Sequence, residues 1–202
     1  RVFQNQLAGI IGDLHCGKLD GINVTIPHKG NIMQYLDEIN PRAKSIGAVN
    51  LIMKNGNKLV GNNTDWYGFT MALKKNGVDP SGKEVIVLGA GGAARSIIFA
   101  IKQSGVKKIV LLNRTLQKAE KLQDEIVFPS SLEDSVMVIK NDSIIINTTS
   151  MGMQSEQSPL DLRLLHENQI LIDVIYTPFE TAILKFGKKM GAKTLNGLDM
   201  FI

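Results

Sequence analysis

Glu84-Val85-Ile86-Val87-Leu88-Gly89-Ala90-Gly91-Gly92-Ala93-Ala94 is an apolar run that stops on a glycine-rich hexad. Beyond it Ala94, Ile97, Ile98 and Ile101 fall at i, i+3, i+4 and i+7, the stripe of a helix that packs along one face. A strand, a glycine turn and a helix in direct succession form the context in which such a turn holds a dinucleotide. Gly89 permits a tight turn, Gly91 lets backbone N–H groups approach a pyrophosphate, and small Ala94 lets the helix lie close to the strand. The start of the helix adds unsatisfied N–H donors and a positive dipole end. Gly89, Ala90, Gly91, Gly92 and Ala93 are therefore candidate cofactor-binding residues.

Working outward toward the C-terminus, further strands are expected at 108–112, 144–147 and 170–174, with a short one at 193–195. Helices are expected around Leu116, Ala119 and Leu122, and between Pro178 and Gly191. Strands alternating with helices argue for a parallel sheet wound by crossovers, a Rossmann domain. A site that prefers NAD ends its second strand with Asp or Glu, which bonds the ribose 2′-hydroxyl. Here that strand ends in Asn113-Arg114-Thr115, and a guanidinium pairs with a 2′-phosphate where a carboxylate would repel it. The expected cofactor is NADP(H), with Asn113, Arg114, Thr115 and Lys118 around its phosphate. Read blandly, Asn113 or Thr115 is a helix N-cap and Arg114 a solvated charge. The polar turn Asn147 to Gly152 follows a strand at the carboxyl edge of the sheet, so Thr148, Ser150 and Met151 are candidates for the nicotinamide end, although any loop can have such a composition.

Toward the N-terminus, Val78-Asp79-Pro80-Ser81-Gly82 reads as a linker and places the domain boundary, with residues 1–80 forming one domain and 81–202 the other. Within the first, Ile32, Met33, Leu36 and Ile39 form a helical stripe ending before Pro41. Extended runs at 48–54 and 58–61 join through Asn55-Gly56, a hairpin signal. A second helix follows Asp65, with Phe69, Ala72 and Leu73 on one face and Gly77 just past its end. The fold class is α/β: a smaller N-terminal α/β substrate domain, then a doubly wound parallel-sheet nucleotide domain.

Composition limits the alternatives. With 44% hydrophobic residues in 202 the chain can bury a core, and 23 basic against 19 acidic residues is too even a balance to argue for nucleic acid or an anionic membrane. Each apolar run is broken before the length of a membrane helix. Cys16 is the only cysteine and the three histidines are scattered, so neither an intrachain disulfide nor a metal site is expected. A cytoplasmic location is the expectation. The chain opens on Arg1 rather than Met, which suggests a missing N-terminal segment.

Two signals remain. Asn23-Val24-Thr25-Ile26-Pro27-His28-Lys29 is an extended segment ending on proline and lysine, and Asp65 stands at a helix start. Taken alone, Lys29 reads as a surface charge and Asp65 as an N-cap. His28, beside Lys29 on an extended segment, points to the opposite face.

The motifs are more specific together. NVTIPHK at Asn23, GAVN ending at Asn50, GNNTDWYG at Gly61, GAGGAA at Gly89, NRT at Asn113, NTTSMGM at Asn147, DVIYTPFET at Asp173 and NGLDMFI at Asn196 occur in the order of the shikimate dehydrogenase family, which the chain closely resembles from near its start to its last residue. The resemblance implies that Lys29 and Asp65 are the catalytic pair, in a cleft between two domains, and that Thr25, Asn50 and Asp65 hold ring hydroxyls. It also implies that Tyr176 reaches the substrate from the cofactor domain, and that Val174 and Gly197 make backbone contacts near the nicotinamide. The expected reaction is reversible NADPH-dependent reduction of 3-dehydroshikimate to shikimate, in aromatic amino-acid biosynthesis. The expected partner is a small molecule, and the resemblance is compatible with a homodimer. The chain departs from the family in lacking the Ser-x-Ser motif and the closing helices, in Asp199 where many members have Gly, and in Trp66 and Tyr67 where smaller residues are common. Alternatives are a quinate/shikimate dehydrogenase using both NAD and NADP, a bifunctional folate dehydrogenase, which the NVTIPHK and NNTDWYG strings fit poorly, and a nucleotide-binding module without catalysis.

Overall fold

The computed structural model of the chain describes Phe3 and residues 6–201. Ile202, the last residue of the NGLDMFI motif, lies outside the described residues. Contacts divide the chain into two units, Arg1–Asp65 and Trp66–Ile202. This division falls ahead of the linker around Pro80. The reason is burial: the helix α3 (Asp65–Lys75) sends Phe69 and Leu73 into the core of the second unit. An apolar helix face assigns a segment to a domain more firmly than a proline and a glycine separate it.

In the first unit, helix α1 (Leu7–His15) precedes strand β1 (Gly21–Asn23), and the 3₁₀ turn Asn31–Tyr35 leads to β2 (Glu38–Ile39). Helix α2 (Pro41–Ile46) and the hairpin of β3 (Leu51–Asn55) and β4 (Lys58–Asn62) follow. The sheet order is β1-β3-β4-β2, antiparallel except that β2 runs parallel to β4. Gly56, at φ +60°, makes the expected hairpin turn. The helix expected across Ile32 to Ile39 is not formed. Leu36 is extended, and Asp37 bonds Leu59 through both its N–H and its carboxylate, so the strand ladder captures the segment. Its apolar residues still face inward, with Ile32 buried and Met33, Leu36 and Ile39 packed on the same core as Ile52 and Leu59. Pro41 opens a helix here, at its first position, with Asn40 accepting from the Arg42 N–H as N-cap.

The second unit contains β5 (Glu84–Leu88), α4 (Gly92–Gln103), β6 (Lys108–Asn113), α5 (Leu116–Glu120), β7 (Val127–Ser131), α6 (Ser135–Val138), β8 (Ile144–Asn147), β9 (Ile170–Asp173), α7 (Ala182–Met190) and β10 (Lys193–Leu195). All six strands are parallel in the order β10-β9-β8-β5-β6-β7. The sheet is wound in both directions from β5. Val85 and Val87 pack with Ala94, Ile97 and Ile101 of α4 on one face, and Ile86 and Leu88 with Ile183 and Leu184 of α7 on the other. Each fully buried Ile or Leu contributes about 1.5–3 kcal/mol. Strand β7 was not anticipated: Pro129 sits inside it, which is tolerated because β7 is an edge strand paired only with β6. Asp199 bonds Lys75 and Asn76, and those two donors, Lys75 first, hold its carboxyl below the usual range.

Among the described residues no helix is long and apolar enough to cross a membrane. No three His, Cys, Asp or Glu side chains among them are grouped to hold a metal ion.

Candidate active site and nucleotide turn

Three backbone bonds assemble the first unit's site. Val24 N donates to Asn50 O at 2.8 Å, Val49 N to Lys29 O at 2.8 Å and Asn50 N to Asn62 O at 3.0 Å. They lay the segment of Lys29 beside β3 and the end of β4, and the chain then turns into α3 at Asp65. The Lys29 Nζ consequently meets Asp65 Oδ2 at 2.6 Å, with the two side chains only 13% and 12% exposed. The other carboxylate oxygen accepts from Asn50 Nδ2 at 2.8 Å. Asn50 is itself fixed by Thr64, whose N–H donates to Asn50 Oδ1 at 2.8 Å and whose Oγ1 lies 3.0 Å from Asn50 Nδ2. The structure thus brings Lys29, Asn50 and Asp65 together. Thr64, which lies within the GNNTDWYG motif but was given no role of its own, completes the cluster from its place directly before Asp65 at a helix start. Thr25 is exposed and its carbonyl accepts from His28 N, while His28 is buried.

Chemically, both Asp65 oxygens are occupied by donors. Lys29 uses one of its three N–H groups on Asp65, and two remain for another acceptor. An ammonium held this way, largely out of water, can stabilise developing negative charge on an oxygen and supply a proton to it.

In the second unit the glycine turn lies where the strand order reverses, between β5 and β8, the position at which open α/β sheets bind ligands. Gly89 has φ +98°, and a Cβ there would come within 2.9 Å of Thr148 Oγ1 and 3.0 Å of Thr149 Cγ2. Gly91, by contrast, has open space around it and precedes α4 without any side-chain cap, which leaves N–H donors at the helix start. This cradle fits a pyrophosphate. Arg114, Thr115 and Lys118 are exposed just past the end of β6, and Asn113 Nδ2 bonds Thr115 O at 2.7 Å, holding the turn that presents them. Thr115 occupies the N-cap position of α5 without a side-chain cap bond.

The turn after β8 is more structural than its composition suggests. Thr148 is buried and donates to Leu88 O at 2.6 Å, tying β8 to β5, whereas Ser150 is exposed and Met151 half-buried. Val174 and Gly197 are adjacent: Gly197 N donates to Ile175 O at 3.0 Å, and a Cβ on Gly197 would strike the Val174 carbonyl. Tyr176 is 43% exposed and packs on Phe201 with ring centroids 4.5 Å apart. Sequence reading missed a buried polar cluster of Asn147, Asp173 and Thr181. Its signals were a carboxylate closing an otherwise apolar strand and the place of all three residues within the NTTSMGM and DVIYTPFET motifs.

Known proteins resemble the chain along most of its length. The family model described as shikimate dehydrogenase substrate binding domain matches residues 1–52, and the one described as shikimate / quinate 5-dehydrogenase matches residues 70–174. A shikimate dehydrogenase (NADP(+)) of Bacillus cereus (strain AH187) is 45% identical over 192 residues, covering 91% of this chain and 69% of that protein. The crystal structure of shikimate dehydrogenase from Aquifex aeolicus superposes with a TM-score of 0.90 at 37% identity, covering 99% of this chain and 74% of that one. Shikimate 5-dehydrogenase from Thermus thermophilus, solved in complex with NADP(H) and shikimate, gives a TM-score of 0.85 at 33% identity over 99% of this chain and 75% of that one.

Proposed function

The chain belongs to the shikimate dehydrogenase family, and from that premise we propose that it reversibly reduces 3-dehydroshikimate to shikimate with NADPH, a step of aromatic amino-acid biosynthesis. The observation that carries the reading is the Lys29–Asp65 pair at 2.6 Å, two charged groups drawn out of water in a chain whose other unit has a cradle for a dinucleotide. NADPH, when bound, supplies the hydride that adds to the C3 carbonyl carbon. Lys29 would deliver a proton to the carbonyl oxygen as negative charge develops there. Asp65, with both oxygens already accepting, is the base that orients Lys29 rather than the acid, and Asn50, itself fixed by Thr64, holds Asp65. Thr25, Asn50 and Asp65 bind the ring hydroxyls and Tyr176 adds a contact. Gly89 to Ala93 receive the pyrophosphate, and Asn113, Arg114, Thr115 and Lys118 the 2′-phosphate. Thr148, Ser150, Met151, Val174 and Gly197 flank the nicotinamide, Thr148 through its backbone.

The test is consumption of NADPH and of NADH, each with 3-dehydroshikimate and with 3-dehydroquinate. Turnover with NADPH and dehydroshikimate is expected, with NADH at least about tenfold poorer because it lacks the phosphate that Arg114 pairs with. Equal use of both cofactors with dehydroquinate would establish the quinate alternative instead, and no turnover with any pair would reduce the protein to a nucleotide binder.

A further inference from the structure

Asp173, at the end of β9, has no solvent exposure and forms no ion pair among the described residues. Three donors converge on its carboxylate. Asn147 Nδ2 at 3.0 Å and Thr181 Oγ1 at 2.7 Å reach Oδ2, and the Ile175 N–H reaches Oδ1 at 3.0 Å. Burial pushes the carboxyl up from its ordinary range, and the three donors pull against that shift. A buried acid is costly to keep, and this one belongs to the other unit from Lys29 and Asp65.

Its bonds continue into the nicotinamide turn. Asn147, also fully buried, uses its other amide atom to accept from Thr149 Oγ1 at 2.7 Å and from the Thr149 N–H at 3.0 Å. Thr149 Oγ1 in turn accepts from the Met151 N–H at 3.2 Å. The carboxylate decides which way the Asn147 amide faces: flipped, the amide would set oxygen against Asp173 and N–H groups against the donors of Thr149. One buried charge therefore fixes an amide, the amide a hydroxyl, and the hydroxyl the turn at Met151, whose carbonyl the Asn147 amide also reaches directly in a longer bond of 3.5 Å. Arg114, just past β6, and Lys118, in α5, have no bond in this relay.

We propose that Asp173 is a positioning residue for the cofactor, acting through Asn147 and Thr149 to shape the seat of the nicotinamide end while leaving the adenosine end untouched. The inference rests on the cofactor reading of the turn at 148–152. Affinities for NADPH and for adenosine 2′,5′-bisphosphate, which fills only the adenosine end, test it on the parent protein and on Asp173→Asn, Thr149→Val and Thr149→Ser. Asp173→Asn sets an amide N–H against donors. Thr149→Val cuts the relay one link later while leaving the buried charge satisfied, so it remains decisive if Asp173→Asn does not fold. For Asp173→Asn and Thr149→Val the NADPH dissociation constant should rise about tenfold, or ~1.4 kcal/mol, with the bisphosphate within about twofold. Thr149→Ser, which keeps the hydroxyl, should restore NADPH binding. Parallel loss of both ligands, unchanged NADPH binding in Thr149→Val, or a Thr149→Ser as weak as Thr149→Val would overturn the proposal. A parent protein that binds neither ligand would instead sink the cofactor reading, and this proposal with it.

Discussion

The first unit's candidate site is built of side-chain atoms, and the second's is built largely of main chain. At Lys29, Asn50, Thr64 and Asp65 most of the contacts that matter join one side chain to another, and the Lys29–Asp65 pair is only about an eighth exposed. At Gly89 and Gly91 the useful groups are N–H donors and the space left by missing side chains. The first kind of site is broken by taking atoms away or changing their charge, the second by adding a methyl group. Each should fail in a different measurable quantity, one in reaction rate and the other in cofactor affinity.

Of two changes that probe this contrast, Asp65→Asn should have the larger effect. An amide keeps the shape of the carboxylate but turns an N–H toward either Lys29 or Asn50, leaving a donor without an acceptor and an ammonium without its counter-charge. Breaking a largely buried pair in this way costs about 3–5 kcal/mol of stability. With Lys29 no longer oriented, kcat/KM for shikimate should fall at least about a hundredfold, measured by initial rates. NADPH affinity should stay unchanged. Gly89→Ala should act in the opposite sense and more weakly. A Cβ on a residue at φ +98°, pressed on Thr148 and Thr149, strains the turn by about 1–3 kcal/mol. NADPH binding, followed by calorimetry, should weaken about tenfold with a lowered Tm, while the rate at saturating cofactor falls far less. A Gly89→Ala protein that binds NADPH normally but turns over slowly would blur the contrast.

The same difference explains what the sequence makes legible. Glycines announce themselves, and Gly56, Gly77, Gly89 and Gly191 all lie at positive φ where turns were expected. Helix α4 buries all four residues of its stripe, because a helix between two strands of a parallel sheet has one face to hide. The segment from Ile32 to Ile39 shows the limit of periodicity: its inward residues were recognisable, but whether they face inward as helix or as a 3₁₀ turn and strand is decided by Asp37 bonding Leu59, far along the chain. In the site, the Lys29–Asp65 pair joins residues 36 positions apart and the Asn147–Asp173 bond residues 26 apart. The first was readable only through family motifs. The second went unseen although both residues open family motifs, since a buried polar network has no periodicity and a polar residue closing a strand does not show its partner until the strands are aligned.

The most direct test of this division is Lys29→Ala, with NADPH affinity and the rate of hydride transfer measured on the same preparation. Removing the ammonium should lower kcat by about 10²–10⁴-fold while the NADPH dissociation constant stays within about twofold of the parent's. Turnover close to the parent's, or a loss of cofactor binding in step with the rate, would contradict the assignment of the reaction chemistry to the first unit's side chains.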